Sequence, residues 1–111
     1  MKNRKSRKGP VWICAAHGPV LDLLAIIYGP LAITRALSSL TKDGFLDNRY
    51  AVTHVPTGLT PGVHHAEFKM AKKACEALLD SGVPWSKVTP ENAKKYGKKV
   101  KATLKSVGIN L

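Results

Sequence analysis

Three Gly-Pro steps, Gly9-Pro10, Gly18-Pro19 and Gly29-Pro30, cut the apolar first third of the chain into short pieces. Proline fixes its own φ and has no N–H to donate, so each step reads as punctuation between elements. No uninterrupted element therefore runs from Val11 to Thr34. A membrane span over that stretch is not expected, because it would also carry Asp22 near its middle, where a carboxylate is costly in lipid. The pieces between the steps set the local expectations. Val11 to Ala16 has the length of a buried strand. Pro19 is suited to open a helix that Gly29 closes at Tyr28. Pro30 is suited to open a second helix, in which Ile33, Ala36, Leu37 and Leu40 follow helical spacing. Leu31, Ile33 and Leu37 also alternate, so a strand remains the other reading of 31–37.

Further along, 41–48 reads as a loop around Asp43-Gly44. Residues 49–55 (Arg-Tyr-Ala-Val-Thr-His-Val) are rich in strand-forming types and are the natural partner of 11–16. Pro56 to Gly62 reads as loop. Residues 64–81 predict a helix with Phe68, Ala71, Ala74, Cys75 and Leu78 on one face, closed by Gly82 with Pro84 beyond. Residues 90–107 predict the last helix: Thr89 caps it, Pro90 and Glu91 suit its first turn, and Ala93, Tyr96, Val100, Leu104 and Val107 form its apolar stripe. The fold class expected from these pieces is α+β: a small single domain, predominantly helical, with a short strand pair. Residues 1–10 are expected as a flexible basic arm and residues 11–111 as one globular domain. A chain of 111 residues with 44% hydrophobic and 23% charged residues can bury a core of its own.

Charge is the feature that points toward function. The formal net charge is +11, and its placement is uneven. Residues 1–10 hold Lys2, Arg4, Lys5, Arg7 and Lys8 with no acid. Residues 90–111 hold Lys94, Lys95, Lys98, Lys99, Lys101 and Lys105 against Glu91 alone. The long middle of the chain is nearly balanced. A solvated helix face ordinarily mixes signs, because like charges four apart repel. Here Lys94 and Lys98, Lys95 and Lys99, and Lys101 and Lys105 are like pairs. Such a face is built for a polyanion, whose phosphates exchange bound counterions for ammonium groups. Lys69, Lys72 and Lys73 extend the set.

The expected function is therefore nucleic-acid binding through the phosphate backbone, by the arm and the last helix. Lysine in place of arginine, asparagine or glutamine argues against base-edge reading. Stacking on single strands would need exposed aromatics. Trp85 and Tyr50 are the residues considered for it, and Trp85 is expected to dock between the helices instead. The alternatives are a small modulator or inhibitor that docks on an acidic surface of a larger protein machine, and a structural component of a ribonucleoprotein or virion.

Catalysis is not expected. Cys14 or Ser38, His54, and Asp22 or Asp47 are scattered, and no phosphate-cradling loop is present. No metal or cofactor is expected either. A zinc site would have to draw on Cys14, His17, His64 and Cys75, with His54 or His65 as substitutes, and no segment has paired ligand spacing. Few cysteines among many lysines suggest a reducing, cytoplasmic setting with both thiols buried.

Overall fold

The computed structural model describes residues 5–15, 18–37 and 45–109, with the side chains of Leu46 and Asp47 outside that description. Four strands come first: β1 (Arg7–Ala15), β2 (Gly18–Tyr28), β3 (Leu31–Leu37) and β4 (Phe45–His54). Two helices follow, α1 (Phe68–Leu79) and α2 (Gly97–Ser106), with short 3-10 turns at Trp85–Lys87 and Ala93–Tyr96 between them. The strands form one antiparallel sheet in chain order.

The expectation of a predominantly helical domain is corrected by this sheet. The two helices expected between Pro19 and Leu40 are β2 and β3. Gly29-Pro30 is the cause. Gly29 has φ 68° and the flanking Tyr28 and Leu31 are paired. A positive φ followed by the fixed negative φ of proline has the signs of a type II′ hairpin turn. The step therefore reverses a strand instead of dividing two helices. The strands lacked their usual alternation because both sheet faces are covered here. Leu31, Ala32, Ile33 and Thr34 are all at most 2% exposed, so no solvent face reveals a period of two.

Other boundaries move as well. Arg7 to Pro10, placed in the flexible arm by sequence, belong to β1, with Arg7 opposite Ile27 and Lys8 opposite Ile26. The strand expected at 49–55 is the second half of β4, which begins earlier, at Phe45, and ends at His54; its ladder partner is β3, not the expected 11–16, which pairs with β2 instead. Residues 41–44 of the expected loop lie outside the described residues. The last helix begins late. Thr89 Oγ1 accepts from the Asn92 N–H and Asn92 Oδ1 accepts from the Thr89 N–H, which caps a tight turn. The chain then winds as 3-10 through Tyr96 and becomes α-helical only at Gly97.

Pairing and alternation give the sheet two faces. One carries Tyr28, Leu31, Ile33 and Val52 and packs under Ala71, Ala74, Cys75 and Leu78 of α1, with Leu104 of α2, Trp85 and Val88. The other carries Val11, Ala25, Ile27 and Ala32, with Val55 against them. This second cluster draws only on strands and the turn after β4. It is buried because the sheet curls round on itself. Beyond β4 the chain turns, and the Gly58 carbonyl accepts the Cys14 N–H of β1 at 2.8 Å. That bond joins the first strand to the end of the last and makes a partly closed barrel. Small residues suit the narrow interior: Ala25, Ala32 and Ala36 are all fully buried. The Thr34 and Thr53 hydroxyls satisfy each other there at 2.8 Å. Residues 59–66 then return along β4, with His54 N–H donating to Leu59, Val52 N–H to Val63, and Tyr50 and Ala66 exchanging both bonds.

One irregularity is repaired by a side chain. Pro10 offers no N–H to β2, and the register slips between the Gly9–Ala25 and Val11–Asp22 pairs, leaving Leu23 and Leu24 as a bulge. Pairing between β2 and β3 ends at Ile26 and Ile33. Past that point the fully buried Asp22 carboxylate takes the place of a backbone acceptor. Its Oδ2 accepts the Arg35 N–H at 2.7 Å. Its Oδ1 accepts the Leu24 N–H at 2.9 Å and the Arg35 guanidinium at 3.1 and 3.2 Å.

Two stability changes are expected. Asp22→Ala strands a backbone donor and opens the β2–β3 gap, which costs about 3 kcal/mol in a denaturant titration. Asp22→Asn keeps one acceptor and costs less. Gly58 has φ 74°, and a Cβ there would sit 3.0 Å from both the Cys14 nitrogen and the Trp12 oxygen. Gly58→Ala is expected to destabilise by roughly 2 kcal/mol or more and to speed exchange of the Cys14 amide proton.

Candidate nucleic-acid interface

The helices sort their side chains cleanly. α1 buries Ala71, Ala74, Cys75 and Leu78, so Lys69, Lys72 and Lys73 emerge exposed on its far side. α2 buries Leu104 and half-buries Val100, leaving Lys98, Lys99, Lys101 and Lys105 exposed. Lys94 and Lys95 stand exposed on the 3-10 turn before it. The two helices pack on each other. The Lys99 ammonium reaches back over Gly82 in the connection between them, 3.1 Å from where a Cβ would lie. Lys95 Nζ lies 5.7 Å from the centre of the Tyr96 ring. The helical layer thus turns nine ammonium groups toward solvent, and the sequence supplies no acid between Asn92 and Ile109.

The basic arm resolves differently. Lys5 is exposed ahead of β1, and Arg7 and Lys8 are exposed on β1 itself. Lys2 and Arg4 lie outside the described residues. β1 packs on β2, whereas α2 packs on α1 and the 3-10 turn, so the two basic groups occupy elements without extensive contact.

Sequence reasoning missed the residues around the returning segment 57–66. Between that segment and α2 lies an apolar cleft of about 370 Å³, walled by Leu59, Pro61, Trp85, Val88, Tyr96 and Val100, with Lys101 also lining it. It shares Gly62 and Lys101 with a wider groove of about 950 Å³, which is lined by Arg49, His64, His65, Glu67 and Met70. His64 and His65 were considered only as metal ligands, and their grouping with Arg49 gave no signal, since the pairing of 59–66 with β4 brings them together. Trp12 was also missed. It is 57% exposed, on the strand face opposite to Val11 and Ile13. The run Val11 to Ala16 is apolar throughout, so the sequence carried no contrast that could have found it.

The other aromatics are structural. Trp85 is buried, and its indole N–H donates to the Leu78 carbonyl at 2.8 Å. Tyr50 is half-buried with its ring edge-on to Phe68 at 5.2 Å. His54, 1% exposed, closes a directional chain. The Leu59 N–H donates to Thr57 Oγ1, whose hydroxyl donates to His54 Nδ1, and His54 Nε2–H donates to the Trp85 carbonyl at 2.7 Å. That order places the ring proton on Nε2. The ring ties β4, the turn after it and the Trp85 turn together.

The residues considered for zinc are brought together only in part. Cys75 is buried in the core under α1, whereas Cys14 is exposed on β1, against the expectation of two buried thiols. Cys14 and His64 line one small hollow together with His65 and Arg35, and His17 lies outside the described residues. Among the described residues no group of three or more ligand-type side chains is placed to hold a metal ion. Of the residues considered for catalysis, Asp22 binds Arg35, while His54 binds Thr57 and Trp85; Ser38 and the side chain of Asp47 lie outside the described residues. No helix of the described residues is long and apolar enough to cross a membrane.

Comparison with protein-family models, with curated proteins and with solved structures finds no match for this chain. Its reading rests on its own geometry.

His54→Leu is expected to leave the Trp85 carbonyl buried without its donor. The expected loss is about 1–3 kcal/mol of folding free energy, read as a lower denaturant midpoint.

Proposed function

We propose that the protein binds nucleic acid by backbone contacts from the lysines of α1, the 3-10 turn and α2, with the basic start of β1 as a second contact region. The observation that carries this reading is the one-sided helical layer. Its inner face is spent on the core, and its outer face exposes nine lysines, against Glu76 of α1 and Glu67, Asp80 and Glu91 at the flanks, with no acid from Ala93 through α2. Ammonium groups at such spacing neutralise successive phosphates and release condensed counterions. Lysine is a point charge without a planar fork, so it grips a phosphate backbone without selecting bases. Weak dependence on sequence and strong dependence on salt follow. Arg49, His64, His65 and Lys101 along the wider groove would add donors beside the same layer.

A variant with Lys94, Lys95, Lys98, Lys99 and Lys101 all replaced by glutamine tests this reading. These side chains are exposed, so its melting temperature is expected to stay near that of the parent. In fluorescence anisotropy against short DNA and RNA, its affinity is expected to collapse at low salt. The slope of log affinity against log salt should become shallower by about 3 to 4. Equal slopes for variant and parent would refute the reading. Absence of binding by the parent at low salt would redirect the lysine layer toward an acidic protein surface.

A further inference from the structure

The helices cover only half of the sheet face they pack on. α1 lies on β3 and β4. The cluster beneath the helices takes in Tyr28 and Ile26 of β2 and goes no further toward β1. Pairing puts Trp12 and Leu21, which are cross-strand partners, on this same face. They have no helix above them. Trp12 is 57% exposed, and the bulge forced at Pro10 leaves Leu23 and Leu24 exposed at 62% and 64%. An uncovered indole flanked by leucines is unusual on a small domain with a well-filled core.

The same strand face supplies the complement. The exposure pattern of β1 alternates, so Lys8, Pro10, Trp12 and Cys14 form its outward row. Lys8 lies about 13 Å from Trp12 at the rise of a strand. Arg7, opposite Ile27, is exposed on the other face of this edge strand, and Lys5 is exposed ahead of it.

We infer that this uncovered half-face is a base-stacking platform for single-stranded nucleic acid, with Trp12 receiving a base and Lys8, in the same outward row, holding a phosphate further along the strand. The inference rests on the proposed function and assigns it a second contact of a different kind. A flat indole with cations along one strand is the combination that single-strand binders use. Two other occupants fit less well. A second copy of the chain would bring two +11 molecules together with Lys5, Arg7 and Lys8 at the rim of the contact. A lipid surface is met by apolar groups at a protruding tip. Here Ala15 and Gly18, small residues, flank the hairpin end, and Trp12 lies mid-strand on a broad face.

The chain has two tryptophans, and Trp85 is buried, so exposed indole emission reports on Trp12. The experiment titrates the full-length protein and its Trp12→Ala and Trp12→Tyr variants with short oligothymidylate, with a DNA duplex, and with vesicles of phosphatidylserine and phosphatidylcholine. Thermal melting first confirms that the variants fold. Oligothymidylate is expected to quench the exposed emission. Trp12→Ala is expected to weaken single-strand binding roughly 10- to 100-fold with an unchanged salt slope, and Trp12→Tyr to recover most of it. The glutamine variant of the lysine layer should do the reverse, changing slope while keeping the quench at saturation. If the parent binds oligothymidylate but Trp12→Ala binds equally well, or the emission does not respond, the platform is overturned and the phosphate reading stands. A blue shift with anionic vesicles and no response to oligothymidylate overturns it in favour of lipid. No binding of any nucleic acid overturns both.

Discussion

The carboxylate of Asp22 holds the sheet together at the point where the backbone cannot. Pro10 withholds one ladder donor, β2 bulges in response, and the β2–β3 pairing stops four residues short of Asp22. A buried charge is expensive unless every lone pair is used. Asp22 meets that condition with two backbone donors and the Arg35 guanidinium, which in turn lies 4.0 Å from the centre of the Phe45 ring. With β2 and β3 fixed there, β1 keeps the inclination that lets Cys14 reach Gly58. The closed interior, the outward turn of Trp12 and the ledge of Leu23 and Leu24 all depend on that geometry.

Beneath the helices and inside the curl, the two faces of the sheet solve different packing problems. The helix face is filled with large side chains, Leu31, Ile33, Leu78 and Leu104, because two layers must be bridged. The interior face is filled with alanines and a threonine pair, because opposite strands approach closely. Neither cluster needs the outer lysines, so the cationic layer is free to be specified by something other than stability. Like charges crowded on α2 cost the helix a few tenths of a kcal/mol per pair. An anionic partner of the kind proposed above would offset that cost.

What the sequence revealed follows the same division. α1 and the lysine face of α2 were legible because each helix has one wet side and one dry side, and that contrast is what periodicity detects. β2 and β3 were illegible because Ala25 to Thr34 is dry on both sides apart from the Gly29 turn, and a run without contrast fits helix and strand alike. Gly18-Pro19 and Gly29-Pro30 do punctuate, whereas Gly9-Pro10 lies inside β1, and punctuation does not say whether the chain turns back or starts anew. That distinction lay in the φ of Gly29, which depends on the strands it joins. Trp12 escaped because apolar residues are presumed inside, and the rule carries little information about any single exposed one. The Arg49, His64 and His65 groove escaped because its walls meet only after 59–66 has folded back on β4.

That returning segment has a consequence for motion. Within a dozen residues, Val55 packs in the barrel interior, Gly58 holds β1, Leu59 and Val63 bond β4, and Leu59 and Pro61 wall the apolar cleft. A segment tied at so many points moves as a unit. The seam of the barrel and one wall of the cleft are therefore a single stretch of chain, bonded at Gly58 to the strand that carries Trp12.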